Sequence, residues 1–154
     1  MMPEHQIFLY AEDSENDVLL LRKAIAKAGL AIELKTVQDG EEVIRYMNGE
    51  GPFSDRRDHP VPTLMLLDLN LPKKNGFQVL QWLRQQPHLK RMIVIVLTAS
   101  CRQEDVDQSH DLGANAVLVK PTTLDELVQM VSQLSAWVEL MRKPYIDVKW
   151  KSPL

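Results

Sequence analysis

The sequence predicts a doubly wound α/β domain, with one five-stranded parallel sheet between two layers of helices. Three observations predict it. Short apolar runs alternate with helical patterns five times, which is how successive βαβ units read in sequence. The runs, the second excepted, are apolar throughout, as strands buried on both faces are. Four of the five end in a polar residue of special chemistry, at the rim where open α/β sheets collect their reactive groups.

The elements follow in order. Ile7-Phe8-Leu9-Tyr10-Ala11 reads as a buried strand ending in Glu12-Asp13. Ser14 opens a helix to about Ala28, with Asp17 three positions on as a capping partner and Val18, Leu21 and Ile25 as its apolar stripe. Gly29 stops it. Ile32 to Val37 alternates apolar and polar, the pattern of a strand near the sheet edge, and Gly40 to Met47 forms a short helix. Residues 48–62, with Gly, Pro, Ser, Asp, two arginines and a final Pro-Val-Pro, form a surface loop long for a compact domain. It is either an interaction element or a tolerated insertion. Thr63 to Leu67 runs as a strand into Asp68. A helix from Gly76 to about Gln86 stops at Pro87. Met92 to Leu97 runs into Thr98, a weak helix from Glu104 to about Asp111 ends at Gly113, and Ala116 to Val119 runs into Lys120-Pro121. Thr123 with Glu126 then caps a long helix to about Leu140. Residues 1–141 are expected to form the domain and 142–154 a C-terminal tail.

Composition limits the function classes. Among 154 residues, 45% are hydrophobic and 25% charged, with a net charge of −3, which points to neither nucleic acid nor an anionic membrane as partner. One cysteine, Cys101, permits no internal disulfide and suits a reducing cytoplasm. No secretion signal is expected at Met1 to Gln6, and no apolar run approaches the ~20 residues that span a bilayer.

The strand-end residues explain one another chemically. Glu12, Asp13 and Asp68 would bring three carboxylates to one rim, where mutual repulsion raises their pKa values unless a cation joins them. A hard divalent ion with oxygen ligands, Mg²⁺ by this chemistry, resolves the repulsion and neutralises the oxygens of a transferring phosphoryl group. An aspartate can then act as nucleophile and carry an aspartyl-phosphate. Lys120 offers a positive charge to one phosphoryl oxygen and Thr98 a hydroxyl to another.

Glu12-Asp13, Asp68-Leu69-Asn70-Leu71-Pro72 with Gly76 downstream, Thr98-Ala99 and Lys120-Pro121 resemble, in this order, the receiver domain of two-component response regulators. The resemblance covers about Gln6 to Val138. It implies a flavodoxin-like receiver fold and a phosphoryl group taken from a partner histidine kinase onto Asp68. It further implies Asp13 and Asp68 as direct metal ligands, the Asn70 backbone carbonyl as a third, and Glu12 acting mostly through water. Thr98, Ala99, Lys120 and Pro121 become the phosphoryl-binding and switch residues, and the Lys120–Pro121 bond is expected cis. Such a protein is no enzyme beyond its own phosphorylation and dephosphorylation. Receivers commonly carry Tyr or Phe three residues before this lysine. Val117 stands there, so an aromatic flip is not available for signalling. The run at 68–74, the enlarged loop before the third strand and the Trp-containing tail are similar to the small single-domain regulators that accompany cyanobacterial phytochromes. That makes a light-regulated histidine kinase the expected partner.

Two other classes fit less well. A phosphohydrolase using an aspartyl-phosphate would carry a general acid two positions after the nucleophile, where Asn70 stands. A flavodoxin-like cofactor binder would want a Gly-, Ser- or Thr-rich loop after the first strand, where Glu12-Asp13-Ser14-Glu15 would repel phosphate. Only about a dozen residues follow the last helix, too few for a DNA-binding output domain, so output is expected through protein contacts. Met130, Trp137, Leu140 and Met141 exceed what one sheet face needs, and a homodimer on the last helix is expected. The rival is Tyr145, Ile146 and Trp150 of the tail folding over that patch. Cys101, the four scattered histidines and Arg56-Arg57 are read as incidental, and Trp82 as partly exposed.

Overall fold

In a computed structural model of the chain, residues 5–100, 102–141, 146 and 151 are described. Cys101, Tyr145 and Trp150, named above, lie outside them. Five strands and five α-helices alternate as expected: β1 (Gln6–Ala11), α1 (Glu15–Ala28), β2 (Ile32–Val37), α2 (Gly40–Asn48), β3 (Leu64–Leu67), α3 (Gly76–Gln85), β4 (Val94–Thr98), α4 (Gln103–Asp111), β5 (Ala116–Val119) and α5 (Leu124–Leu140). The strands form one parallel sheet in the order β2-β1-β3-β4-β5, with β2 at an edge.

The sheet sorts its side chains by the period of two. From β1, β3 and β4, Leu9, Ala11, Met65, Leu67, Val94 and Val96 face one core with α2 and α3. Phe8, Tyr10, Leu64, Leu66, Ile95 and Leu97 face the other with α1 and α5. Each fully buried Leu or Phe contributes roughly 1.5–3 kcal/mol.

Local signals set the helix ends. Ser14 accepts a hydrogen bond from the Asp17 N–H, and Gly29 closes α1 in the left-handed region at φ 65°. Thr123 likewise accepts from the Glu126 N–H. The reciprocal capping box falls at α3, where Asn75 and Gln78 bond each other's backbone N–H.

The long loop is not a row of solvated charges. Arg56 turns inward and donates to the Tyr46 and Met47 carbonyls, both at 2.7 Å, and to that of His59 at 3.2 Å. The arginine thus ties the loop to the C-terminal turn of α2, whose carbonyls lack partners within the helix. Tyr46, Phe53 and His59 pack ring against ring beside it. Arg57 stays exposed. Ile146 of the tail packs against the core cluster of the α2/α3 face, not that of α5.

Candidate functional site

The sheet reverses its strand order between β1 and β3, which opens a crevice at their carboxyl ends. Register pairs Ala11 with Leu67, so the next residues, Glu12 and Asp68, emerge side by side. The Asp68 N–H donates to the Ala11 carbonyl at 3.2 Å. At the far side Thr98 pairs with Val119, and the Lys120 N–H donates to the Thr98 carbonyl at 2.7 Å. The crevice therefore collects Glu12, Asp13, Asp68, Thr98 and Lys120.

Glu12 and Asp68 are buried, at 2% and 5% exposure, whereas Asp13 is exposed. Carboxylate oxygens of the three lie within 4.8 Å of one another. Lys120 Nζ donates to Glu12 Oε1 at 2.7 Å and Asp68 Oδ2 at 3.4 Å. Asp68 Oδ1 accepts from the Asn70 N–H at 3.1 Å. The second Glu12 oxygen, Oε2, is buried with no hydrogen-bond partner. An orphaned carboxylate oxygen in a three-carboxylate cluster is the donor set a hard cation satisfies.

The same crowding shows in the electrostatics. Burial first, then hydrogen bonding to Asp68, pushes the Glu12 carboxyl up to about 8, against the pull of Lys120. Burial works against the Lys120 charge, but hydrogen bonds to Glu12 and Asp17 outweigh it and raise its pKa.

Thr98 is wholly buried and its Oγ1 accepts from the Ser100 N–H at 3.2 Å. Ser100 in turn donates to Asp105 at 2.6 Å, stapling the loop after β4 to the first turn of α4. Ala99, between them, is exposed, and Pro121 is half-buried. The Lys120–Pro121 bond is trans, since no described peptide bond is cis. This corrects the expectation of a cis bond; trans is the lower isomer by about 0.5–1 kcal/mol before X–Pro. Val117 is half-buried against the α2/α3 core, an aliphatic packing residue of β5. Gly76 abuts the site: an added Cβ would lie 2.6 Å from the Asp68 carbonyl oxygen and 2.8 Å from Leu69 Cα.

Sequence reasoning missed Asp17 as a site residue and used it only as a capping partner. Its Oδ2 accepts from Lys120 Nζ at 3.0 Å. Its signal was its place on the first turn of α1, four residues after Asp13.

Away from the crevice, the expected α5 patch is divided. Trp137 (41%) and Leu140 (86%) are exposed. Met130, at 9%, belongs to the core, and Met141 packs partly buried against the same cluster. Met130 is three residues from Leu127 and eight from Val138, hence on the helix face turned to the sheet. A groove of about 410 Å³ between β5 and α5 is lined by Leu118, Val119, Pro121, Met130, Leu134 and Trp137.

Comparison with known proteins agrees with this geometry. The response regulator receiver domain family matches residues 8–132. Response regulator Rcp1 of Synechocystis sp. is 36% identical over 140 residues, covering 90% of this chain and 93% of its own length. The structure of the phosphorylated cyanobacterial phytochrome response regulator RcpA is similar, with TM-score 0.82, 35% identity and coverage of 92% of this chain and 100% of that one. Response regulator RPA3017, in red light signalling of R. palustris, has TM-score 0.85 at 34% identity, covering 91% and 99%. Rcp1 has also been solved in a Mn²⁺-bound form, with TM-score 0.77 and 35% identity over 91% of this chain and 99% of that one. The fold is the flavodoxin-like receiver fold. The chain belongs to the response regulator receiver domain family, the phosphoryl-accepting module of two-component signalling.

Proposed function

We propose that this chain is a single-domain response regulator that takes a phosphoryl group from a histidine kinase onto Asp68 and signals by contact with other proteins. One observation carries the reading: Asp68 stands at the crevice between β1 and β3, its carboxylate grouped with those of Glu12 and Asp13 and 3.4 Å from the Lys120 ammonium. In the transfer an Asp68 carboxylate oxygen attacks phosphorus. A P–O bond forms, the P–N bond to the kinase imidazole breaks, and the electron pair leaves with the imidazole. Glu12, Asp13, Asp68 and the Asn70 carbonyl would hold Mg²⁺, which when bound neutralises phosphoryl oxygens. Lys120 turns its ammonium to one phosphoryl oxygen. Thr98, with Ala99 and Pro121 flanking the site, offers its hydroxyl proton to another while its oxygen accepts from the Ser100 N–H. Thr98 is thereby joined through Ser100 and Asp105 to α4, a connection that needs no aromatic at Val117.

The similarity to the phytochrome response regulator RcpA and to RPA3017 in red light signalling supports a phytochrome-type kinase as the donor. The exposed Trp137 and Leu140 beside the β5/α5 groove support a homodimer through that face, with Met130 beneath it and Met141 at its end. Among the described residues no helix is long and apolar enough to cross a membrane. A single cysteine, Cys101, fits a regulator that works in a reducing cytoplasm.

Mass spectrometry after treatment with acetyl phosphate and Mg²⁺ tests the core of the proposal. Wild type is expected to gain one phosphoryl group and Asp68→Asn none. Equal labelling of the two proteins, or labelling in excess chelator, would overturn it.

A further inference from the structure

We infer that Asp17 is a positioning residue for phosphoryl binding: it competes for the Lys120 ammonium and holds it back from Asp68. The inference rests on Asp68 as the phosphoacceptor. Three carboxylates share one cation, and Nζ lies nearer to Glu12 (2.7 Å) and Asp17 (3.0 Å) than to Asp68 (3.4 Å). Asp17 is not among the three carboxylates whose oxygens lie within 4.8 Å of one another, Glu12, Asp13 and Asp68. Its carboxylate accepts from Lys120 Nζ at 3.0 Å and also lies beside Glu12, so its charge acts on the ammonium and on the carboxylate that shares it.

Its place is fixed by the fold. The Asp17 N–H is held by Ser14 Oγ at 3.2 Å, which fixes Asp17 on the first turn of α1. Beneath the pair lies a small hollow of about 30 Å³ lined by residues including Tyr10, Leu97 and Pro121 as well as Asp17 and Lys120.

The consequences follow from charge. Glu12, Asp13, Asp17 and Asp68 against Lys120 leave three net negative charges when all are ionised, and a divalent ion leaves one. A phosphoryl group adds more negative charge and needs Lys120 on its own side. Glu12 and Asp17 are the rivals for the ammonium, at 2.7 and 3.0 Å. Asp17 is also half-exposed, so its contact is the cheaper of the two to break. It therefore sets how tightly a phosphoryl group is held.

The experiment is ¹⁹F NMR titration of the full chain with beryllofluoride, a phosphoryl mimic, at saturating Mg²⁺. Magnesium affinity and thermal stability are measured alongside. Asp17→Asn is expected to bind beryllofluoride on the order of five-fold more tightly, because a charge that opposes the anion and restrains Lys120 is gone. Magnesium affinity and stability should both fall slightly, the latter because the α1 N-terminus loses an acidic residue. A merely structural role would weaken all three together. Asp17→Glu should restore wild-type affinity. Glu15→Gln, on the same helical turn but without a contact to Lys120, should leave it unchanged. Unchanged or weaker beryllofluoride binding in Asp17→Asn, or an equal gain in Glu15→Gln, would overturn the inference alone. No bound beryllofluoride in wild type would overturn the reading of Asp68 and this inference with it.

Discussion

Lys120 Nζ donates a 2.7 Å hydrogen bond to Glu12 Oε1, joining the ends of β5 and β1 across the two strands that separate them in the sheet. One flexible ammonium thus closes the rim over Asp68 and answers a carboxylate buried to 2%. The bond does not fully offset the burial. Glu12 keeps a raised pKa and an unpartnered oxygen.

A pH dependence of stability follows. The Glu12 carboxyl is pushed from 4.5 to about 8 by burial and by its neighbour Asp68. A carboxyl raised on folding stabilises below its unfolded pKa, and that contribution is lost as pH climbs through the folded value. Metal-free protein is therefore expected to lose stability between about pH 5 and pH 8, and Glu12→Gln to flatten the loss. Asp17, whose pKa is lowered by Glu12 and Lys120 against the effect of its burial, acts in a separate window below about pH 4. Thermal melts in chelator across this range check it. Parallel declines in wild type and variant would show that Glu12 is not responsible.

Metal affinity should separate the two acidic residues after β1. Asp13 is exposed and free to turn toward a cation, whereas Glu12 already answers Lys120 through one oxygen. Asp13→Ala is expected to lose most of its Mg²⁺ affinity and Glu12→Ala less, by calorimetric titration. A larger loss for Glu12→Ala would reverse the assignment of the inner ligand.

Arg56 should matter to stability although it lies in a loop. Its guanidinium serves the Tyr46 and Met47 carbonyls at the end of α2. The Tyr46 carbonyl also accepts from the Gly49 N–H, so Arg56→Ala is expected to cost about 1–3 kcal/mol in urea denaturation, the range for one buried acceptor, that of Met47, left unsatisfied. Arg57→Ala, removing an exposed side chain, should stay within about 0.5 kcal/mol. Similar small effects for both would mean that the loop is not held by Arg56.

Self-association should depend on the exposed end of α5. Trp137→Glu and Leu140→Glu both place a charge where the two largest exposed apolar side chains of that helix lie. Each is expected to shift the protein toward monomer in sedimentation equilibrium without lowering its melting temperature. A wild type that stays monomeric at high micromolar concentration, phosphorylated or not, would leave the β5/α5 groove without this occupant.

The sequence by itself determined the order of elements and the composition of the rim. Strand runs of Val, Ile and Leu buried on both faces carry a strong local signal, and parallel strands send their carboxyl ends to one side. Glu12, Asp68, Thr98 and Lys120 could therefore be placed together before any packing was known. Only the tertiary structure decided how the side chains shared their partners. That Asp17 reaches Lys120 depends on how α1 packs beside α5, the helix that follows β5, and its spacing within the helix served capping equally well. That Arg56 turns inward depends on which carbonyls α2 leaves unpaired beside the loop. Met130 falls in the core and Trp137 outside it because the rotation of α5 on the sheet, set by packing against α1, settles which residues of a broadly apolar helix face water. Local patterns fix what each segment can become; shared charges and helix orientation depend on contacts between segments far apart in the chain.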